Sequence, residues 1–351
     1  MGSMKLLIVT QAVDKEDSIL GFFHSWIEKL AENFDSIVVI CLKKGTYNLP
    51  HNVNVYSLGK EEGKTRLTYV YRFFRYIISL RKEYDSVFIH MNQVYILLGA
   101  CIWKLLDKRI YLWYAHKSST FSLKIAIHFV TRIFTPNKTS FRIENRKVQI
   151  MGHGIDTDYF SPCVCGSTEN KFKIITIGRV SAVKGYMVMV DALSRITDSR
   201  VVLEIVGDPV TQKDVIYFKK LKQRIKALDL EHRIIFTGSL PNNQIVDVLR
   251  CARVFINMSN TGSMDKAILE AMAVGIPVIT SNEAFIEILS PYGLMCKRES
   301  AEDLAQKILQ LKSLSRDIYK DGLLRNVVVT HHNINTLIYK MSNIIKTDFN
   351  T

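Results

Sequence analysis

The feature that most constrains this chain is a rhythm that runs twice. Short, apolar, β-rich stretches alternate with segments of helical period, and the series is broken once near the middle. In the first run strands are expected at 5–10, 36–42, 86–91, 109–114 and 148–151, with helices at 20–31, 66–82, 94–106 and 121–131. In the second run strands are expected at 173–177, 201–206, 233–237, 254–257 and 277–280. Helices there are expected at 186–196, 215–228, 243–251, 265–274 and 301–314. Strands that are apolar throughout, each leading into a helix, imply a parallel sheet covered on both faces. Residues 156–171 interrupt the rhythm with Pro162, Gly166 and small polar residues, and the linker is expected there. The fold expected is α/β, with two Rossmann-like, doubly wound domains. Their limits read 4–156 for an N-terminal domain, 157–171 for the linker and 172–330 for a C-terminal domain. An amphipathic helix within 331–351, centred on 335–346, could return to the first domain.

Composition narrows the class. A chain of 351 residues with 48% hydrophobic content can bury two full cores. Met1-Gly2-Ser3 ahead of Met4 reads as a remnant outside the fold. Leu6–Val9 is too short for a signal sequence, and no apolar run reaches the length of a membrane span. The expectation is a cytoplasmic protein, soluble or attached peripherally to the inner face of a membrane. Six cysteines, at 41, 101, 163, 165, 251 and 296, read as free, mostly buried thiols in a reducing compartment. The lone pair Cys163-x-Cys165 lacks the second pair that a zinc site needs. The net charge of +14 favours phosphates, nucleic acid or anionic lipid as partners. Without zinc-finger spacing or an aromatic RNA-binding motif, nucleic acid is not expected. Segment 66–82 joins Arg66, Arg72, Arg75, Arg81 and Lys82 to Tyr69, Tyr71, Phe73, Phe74 and Tyr76. It reads either as an interfacial helix on an anionic membrane surface or as a core helix with snorkelling arginine stems.

Doubly wound domains bind ligands beyond the C-terminal ends of their strands. After the strand at 173–177 come Gly178 and Arg179, then Lys184-Gly185 opening a helix. A glycine there lets a ligand approach the backbone, and two cations suit a diphosphate. Two solvated surface charges are the plainer alternative. A second segment, Gly262-Ser263-Met264-Asp265-Lys266, precedes a helix that stops at Gly275 and Pro277. The free N–H groups at such a helix start can bind phosphate oxygens with help from the helix dipole. Within that helix Glu270 sits among apolar neighbours. A buried carboxylate needs partners, which ribose hydroxyls or a core Lys or Arg would supply; the other alternative is a side chain that snorkels to the surface.

The run Leu269-Glu270-Ala271-Met272-Ala273-x-Gly275-x-Pro277-Val278-Ile279, with Gly178-Arg179 and Lys184-Gly185, resembles family 4 glycosyltransferases of the GT-B fold. In order along the chain, Gly154-Ile155-Asp156 with Phe160 is similar to the family's interdomain segment. Val206-Gly207-Asp208 and Phe236-Thr237-Gly238 resemble its loops around ribose and base. Tyr114-Ala115-His116 resembles the stretch holding a histidine near the donor sugar, and Gly21 the glycine loop that faces the reaction centre. The resemblance implies a GT-B fold whose two domains face each other across a cleft. It implies a retaining, metal-independent transfer of a hexose from a nucleotide-sugar, with no cofactor and no metal site. Arg179 and Lys184 would stabilise the leaving diphosphate, Glu270 would hold the ribose hydroxyls, and His116 would contact the sugar. Donor contacts would come from Gly21, Gly178, Gly207, Asp208, Gly238, Gly262, Ser263, Met264, Asp265 and Lys266. The donor would be GDP-mannose or a UDP-hexose.

The sequence departs from that family at one place. Two glutamates seven residues apart are usual, and here Gly262 replaces the first, in a loop reading Gly-Ser-Met-Asp-Lys where Glu-Gly-Phe-Gly is expected. Asp265 or Lys266 would replace the missing sugar contact. The acceptor, a glycan or lipid-linked sugar in cell-surface polysaccharide or glycolipid assembly, is expected at the first domain. Asn92 and Gln93, which directly follow a strand, are its best candidates; Asp14, Asp17, His24 and His90 also lie near strand ends. His153 in Gly-His-Gly reads as hinge support. A degenerate nucleotide-sugar-binding protein and a nucleotide-sugar epimerase of the same fold are the alternatives.

Overall fold

The computed structural model describes residues 4–17, 19–116, 118–163, 171–260, 262–314 and 322–350. The chain divides into two compact units, Met1–Gly154 with Ile334–Thr351, and Ile155–Asn333.

The first unit is built on seven parallel strands: β1 Lys5–Val13, β2 Ser36–Lys44, β3 Val53–Ser57, β4 Ser86–His90, β5 Arg109–Trp113, β6 Arg132–Thr135 and β7 Val148–Ile150. Their order is β3-β2-β1-β4-β5-β6-β7, so the direction of winding reverses between β1 and β4. Helix α1 (Phe22–Ala31) lies on one face of this sheet. Helices α2 (Arg66–Ser79), α3 (Val94–Leu105) and α4 (Phe121–Ala126) pack in a row on the other. Thr65 and Thr120 accept the N–H of Thr68 and Leu123 and so cap α2 and α4. Alternate residues of β1 serve the two faces: Leu6 and Ile8 join the core beneath α1, Leu7 and Val9 the core beneath α2 to α4.

The second unit holds β8 Phe172–Ile177, β9 Val201–Val206, β10 Ile234–Gly238, β11 Val254–Asn257 and β12 Val278–Thr280, in the parallel order β10-β9-β8-β11-β12. The winding reverses between β8 and β11. Around the sheet lie α5 (Tyr186–Ser194), α6 (Gln212–Ala227), α7 (Asn242–Arg250), α8 (Lys266–Val274), the short α9 (Ile286–Leu289), α10 (Ala301–Ser313) and α11 (Leu323–His331). A last helix, α12 (Ile334–Asn350), packs on α1 in the first unit, where Leu337, Met341 and Ile345 are buried beside Trp26.

Several elements differ from the sequence expectations. Strands β3 and β6 and helix α11 were not anticipated, and α4 stops at Ala126 rather than continuing to 131. Residues 157–163, assigned to the linker, pack within the second unit: Phe160 is buried, and Arg325 donates to the carbonyls of Thr157, Phe160 and Ala273. Residues 164–170 of the expected linker lie outside the described residues, Cys165 among them, as does Thr261. The cysteines are less uniformly buried than expected. Cys41 and Cys296 are interior, and burial pushes both thiols up to about 12, but Cys101 and Cys163 are exposed. No helix among the described residues is long and apolar enough to cross a membrane.

Candidate functional site

The second unit gathers most of the expected donor residues at the C-terminal ends of its strands, beside the point where the winding reverses. Three strands end in glycine or run straight into it: β8 into Gly178, β9 into Gly207 and β10 at Gly238. The N–H of Gly178 donates to Val206, and that of Gly207 to Gly238 at 2.8 Å. Gly207 cannot be another residue without movement. A Cβ there would lie 2.2 Å from the Gly178 carbonyl oxygen, and its φ of +142° is one that side chains rarely adopt. Asp208 follows; its carboxylate accepts the Ser239 N–H at 2.7 Å, its carbonyl accepts the Val180 N–H, and it stands 3.5 Å from where a Gly238 Cβ would be.

The two cations expected to meet a diphosphate are both here, and both are already paired. Arg179, half in solvent, has its Nε 3.7 Å from Asp214. Lys184 ends a single tight turn, Ala182–Lys184, that precedes α5 rather than opening the helix itself. Its Nζ lies over Gly178 and donates to Asp265 at 2.5 Å. Gly185 then takes a left-handed φ of +72°, with its backbone against Met258 at the end of β11. Tyr186, the next residue, donates its hydroxyl to the Gly178 carbonyl at 2.6 Å.

Helix α8 supplies the other side of the site. Gly262 is left-handed, Ser263 offers its carbonyl to Asn282 at 2.8 Å, and Met264 is buried in the core. Asp265 caps the helix through the Ala267 N–H at 3.2 Å while also holding Lys184 and the buried Asn257 amide. Of the helix-start N–H groups expected to meet a phosphate, that of Ala267 is thus taken by a carboxylate of the chain itself. Burial would raise the Asp265 carboxyl, but Lys184 and Asn257 outweigh it and hold the group below its ordinary value. One turn on, Glu270 is buried and accepts from Lys266 at 2.5 Å. Of the partners open to Glu270, the structure supplies the lysine. Burial keeps its carboxyl above the usual value despite the pull of Lys266.

Sequence reasoning missed Asn257, Asp214, Tyr186 and Asn282. Asn257 carried a signal, being the one polar residue ending an apolar strand. Asp214 was the acidic third residue of a capping box with Thr211.

The remaining expected residues belong to the first unit. Gly21 stands ahead of α1 with its backbone against the Asp17 carbonyl, where a Cβ would sit at 2.5 Å. His116 is exposed beyond β5, its ring 6.4 Å from that of Tyr114. Asn92 accepts the Val94 N–H within its own turn, whereas Gln93 donates to the Thr120 and Ser122 hydroxyls and so ties the start of α3 to that of α4. Asp14 accepts the Thr46 N–H, Asp17 those of Ile19 and Leu20, and His24 that of Asn48. His90, at the end of β4, is buried against Phe23 with ring centroids 3.8 Å apart. Its Nδ1 meets the Thr10 hydroxyl, while its Nε2 has no hydrogen-bond partner among the described residues. Among the described residues no group of three or more His, Cys, Asp or Glu side chains is placed to hold a metal ion.

Two parallel, doubly wound sheets of these orders define the GT-B fold of glycosyltransferases. Anabaena HepE in complex with UDP and glucose superimposes with a TM-score of 0.79 at 17% identity, covering 98% of this chain and 100% of that one. Sucrose-phosphate synthase from Thermosynechococcus elongatus gives 0.79 at 15% identity, with 99% of each chain covered. Residues 164–321 match the family model for glycosyl transferases group 1, so the chain carries a domain of that family. Its curated relatives are enzymes named for glycosyl transfer or for the products of it. The mannosylfructose-phosphate synthase of Agrobacterium fabrum is 24% identical over 40% of this chain and 34% of its own length. The putative colanic acid biosynthesis glycosyltransferase WcaL of Escherichia coli is 26% identical over 49% and 43%. An E. coli UDP-Gal:alpha-D-GlcNAc-diphosphoundecaprenol alpha-1,3-galactosyltransferase is 26% identical over 40% and 38%. The matched stretches thus span between a third and a half of the length of these relatives.

Proposed function

We propose that the chain is a retaining, metal-independent glycosyltransferase that moves a hexose from a nucleotide-sugar to a glycan or lipid-linked acceptor in cell-surface polysaccharide or glycolipid assembly. The observation that carries this reading is the convergence of Gly178, Gly207, Lys184, Arg179 and α8 at the reversal point of the second sheet. A diphosphate there would meet Arg179 and Lys184, which would neutralise the charge that grows on the leaving group. Glu270 would exchange its lysine for ribose hydroxyls, and Asp265 would take the place of the absent glutamate at 262 by accepting a sugar hydroxyl. Gly207 and Gly238 would lie against the ribose and base, and His116 and Gly21 would serve the sugar from the first unit. A lipid-linked acceptor would be met at the inner face of a membrane. The UDP in HepE and the UDP-Gal in the name of the E. coli relative favour a UDP-hexose over GDP-mannose for this chain.

Thermal-shift measurement against UDP, GDP and ADP tests the nucleotide, because the true ligand stabilises by mass action. Donor turnover in the presence of a chelator, with the anomeric configuration of the product read by NMR, tests the chemistry. Gly262 and the internally paired anchors favour one second reading, a nucleotide-sugar-binding protein without transferase activity. A nucleotide-dependent shift with neither hydrolysis nor transfer would establish it and reject the enzyme.

A further inference from the structure

The first unit has one face unlike the rest of the molecule. Three successive crossovers place α2, α3 and α4 side by side on the same side of the sheet. Their inner residues, Phe73, Ile77, Trp103 and Leu123, fill the core. Their outer residues should then be polar, since each helix is otherwise open to water. They are not. Leu67 is 83% exposed, Leu105 86% and Phe121 78%, with Tyr71, Leu97 and Ile125 also on the outside. On α3 the exposed Val94, Leu97, Cys101 and Leu105 follow a helical spacing that draws a second apolar stripe, opposite the buried one.

The charges around these side chains are mostly of one sign. No acidic residue occurs from Lys64 to Lys82, and Asp107 is the only acid between Ser86 and Ile143. Arg66, Arg75, Arg81, Lys104 and Lys124 are all exposed on or beside the three helices. Arg72 is the exception, being held in a bidentate pair by Glu62 from the preceding loop. A soluble surface normally mixes both signs and scatters its large apolar residues. Here long aliphatic and aromatic side chains rise from a mainly cationic field, with the exposed acids Glu62, Glu83 and Asp107 at the helix ends.

The geometry points to an anionic lipid surface as the occupant of the α2–α3–α4 face, with Leu67, Leu105 and Phe121 entering the headgroup boundary and the arginines and lysines meeting lipid phosphates. Nucleic acid would satisfy the cations but would leave the aliphatic side chains without an apolar partner. A bilayer satisfies both. Tyr71 fits the same boundary, as an amphipathic ring with an apolar body and a polar tip. This docking does not depend on the transfer reaction, although it would bring the chain to a lipid-linked acceptor.

Flotation of the full chain with phosphatidylcholine vesicles, with and without phosphatidylglycerol, tests it. Binding is expected only with phosphatidylglycerol, and it should fall by about tenfold or more on reversing the charge of Arg66 and Arg75 to glutamate. Leu67→Ser, Leu105→Ser and Phe121→Ser together should leave binding at low salt and remove what survives about 0.5 M salt. Sites this exposed should leave the melting temperature unchanged, and Phe121→Ser alone serves if the combined variant unfolds. The proposal is overturned by absence of flotation at low salt, by equal binding to both vesicle types, by variants that bind like the parent, or by duplex DNA displacing the protein from vesicles. The nucleotide thermal shift, read on the same variants, is expected to be unchanged. Its absence from the parent chain would count against the proposed reaction and leave the lipid surface standing.

Discussion

Asp265→Asn is the perturbation that best separates nucleotide binding from sugar transfer. The substitution keeps the shape of the side chain and a competent helix cap, since asparagine caps about as well as aspartate. It removes one negative charge 2.5 Å from Lys184 Nζ. A phosphate received by Lys184 would sit about one ammonium diameter beyond that carboxylate. At about 6 Å and an effective dielectric constant of about 20, two unit charges repel by about 3 kcal/mol. The site is open to solvent on one side, which leaves about half of this, or about tenfold in affinity. A free nucleoside diphosphate is therefore expected to bind about tenfold more tightly to Asp265→Asn. The nucleotide-sugar gains the same relief but loses an ionised acceptor for its hydroxyl, so kcat/KM should fall by about tenfold or more. Calorimetric titration with UDP and steady-state kinetics with the donor give the two numbers. Weaker UDP binding by the variant would mean that the carboxylate serves to hold Lys184 in place. Unchanged kcat/KM would remove Asp265 from sugar recognition.

Gly207→Ala should cost several kcal/mol, because its Cβ would meet the Gly178 carbonyl at 2.2 Å on a backbone already at φ +142°; a melting curve little changed from the parent's would refute this packing. His90 is held neutral down to about 3 against an ordinary 6.5, first by burial and then by His153. Between those values the unfolded chain binds a proton that the folded chain does not. Stability should thus fall as pH drops below 6.5, by up to about 1.4 kcal/mol per pH unit. His90→Phe should flatten that slope in denaturant titrations at successive pH values, and an unaltered slope would assign the loss to other groups. Glu270, held above its ordinary value by burial, takes up a proton on folding, so its contribution declines as pH rises through its folded pKa. Glu270→Gln is expected to lose the nucleotide-dependent thermal shift; retention of that shift would exclude a ribose contact.

The parallel sheets were legible in the sequence because their central strands are apolar without alternation, and nothing but a two-faced sheet buries such strands. What escaped was local pattern overridden by tertiary context. Strand β3 is an edge, mostly half-exposed, and Val53-Asn54-Val55-Tyr56-Ser57 carries no continuous apolar run. Helix α11 contains Val327-Val328-Val329, which by propensity favours a strand. It is helical because Leu324 and Val328 fall on one face and pack into the core with α8. At the site, glycines and isolated charges could be found because strand ends announce them. The pairing of those charges could not, since Lys184 and Asp265 are 81 residues apart and meet only after β8 and β11 become neighbours. Lys266 and Glu270, one helical turn apart, were the legible pair, and the sequence still left ribose and lysine as equal candidates.

The pairing has a consequence for how a diphosphate would enter. Three cations line the site and each has a carboxylate: Arg179 with Asp214, Lys184 with Asp265, Lys266 with Glu270. Each carboxylate keeps a partly buried ammonium from standing uncompensated, since removing one partner of a buried pair costs about 3–5 kcal/mol. The pairs are not equivalent. Arg179 is 45% exposed at 3.7 Å from Asp214, so it can turn to a phosphate at little cost. Asp214 does not depend on it, being held by the Thr211 hydroxyl at 2.7 Å and N–H at 2.9 Å. Lys184 need not leave its partner, because an ammonium has three donors and Asp265 uses one. Its aliphatic stem already rests over Gly178, in the space that a side chain at that position would take. Glu270 alone would have to give up its partner to hold a ribose, and Lys266, freed one turn back at the start of α8, would then add a third cation beside the phosphates. A charge-balanced resting site of this kind can gain positive potential when the nucleotide arrives, without carrying an unpaired cation in its absence.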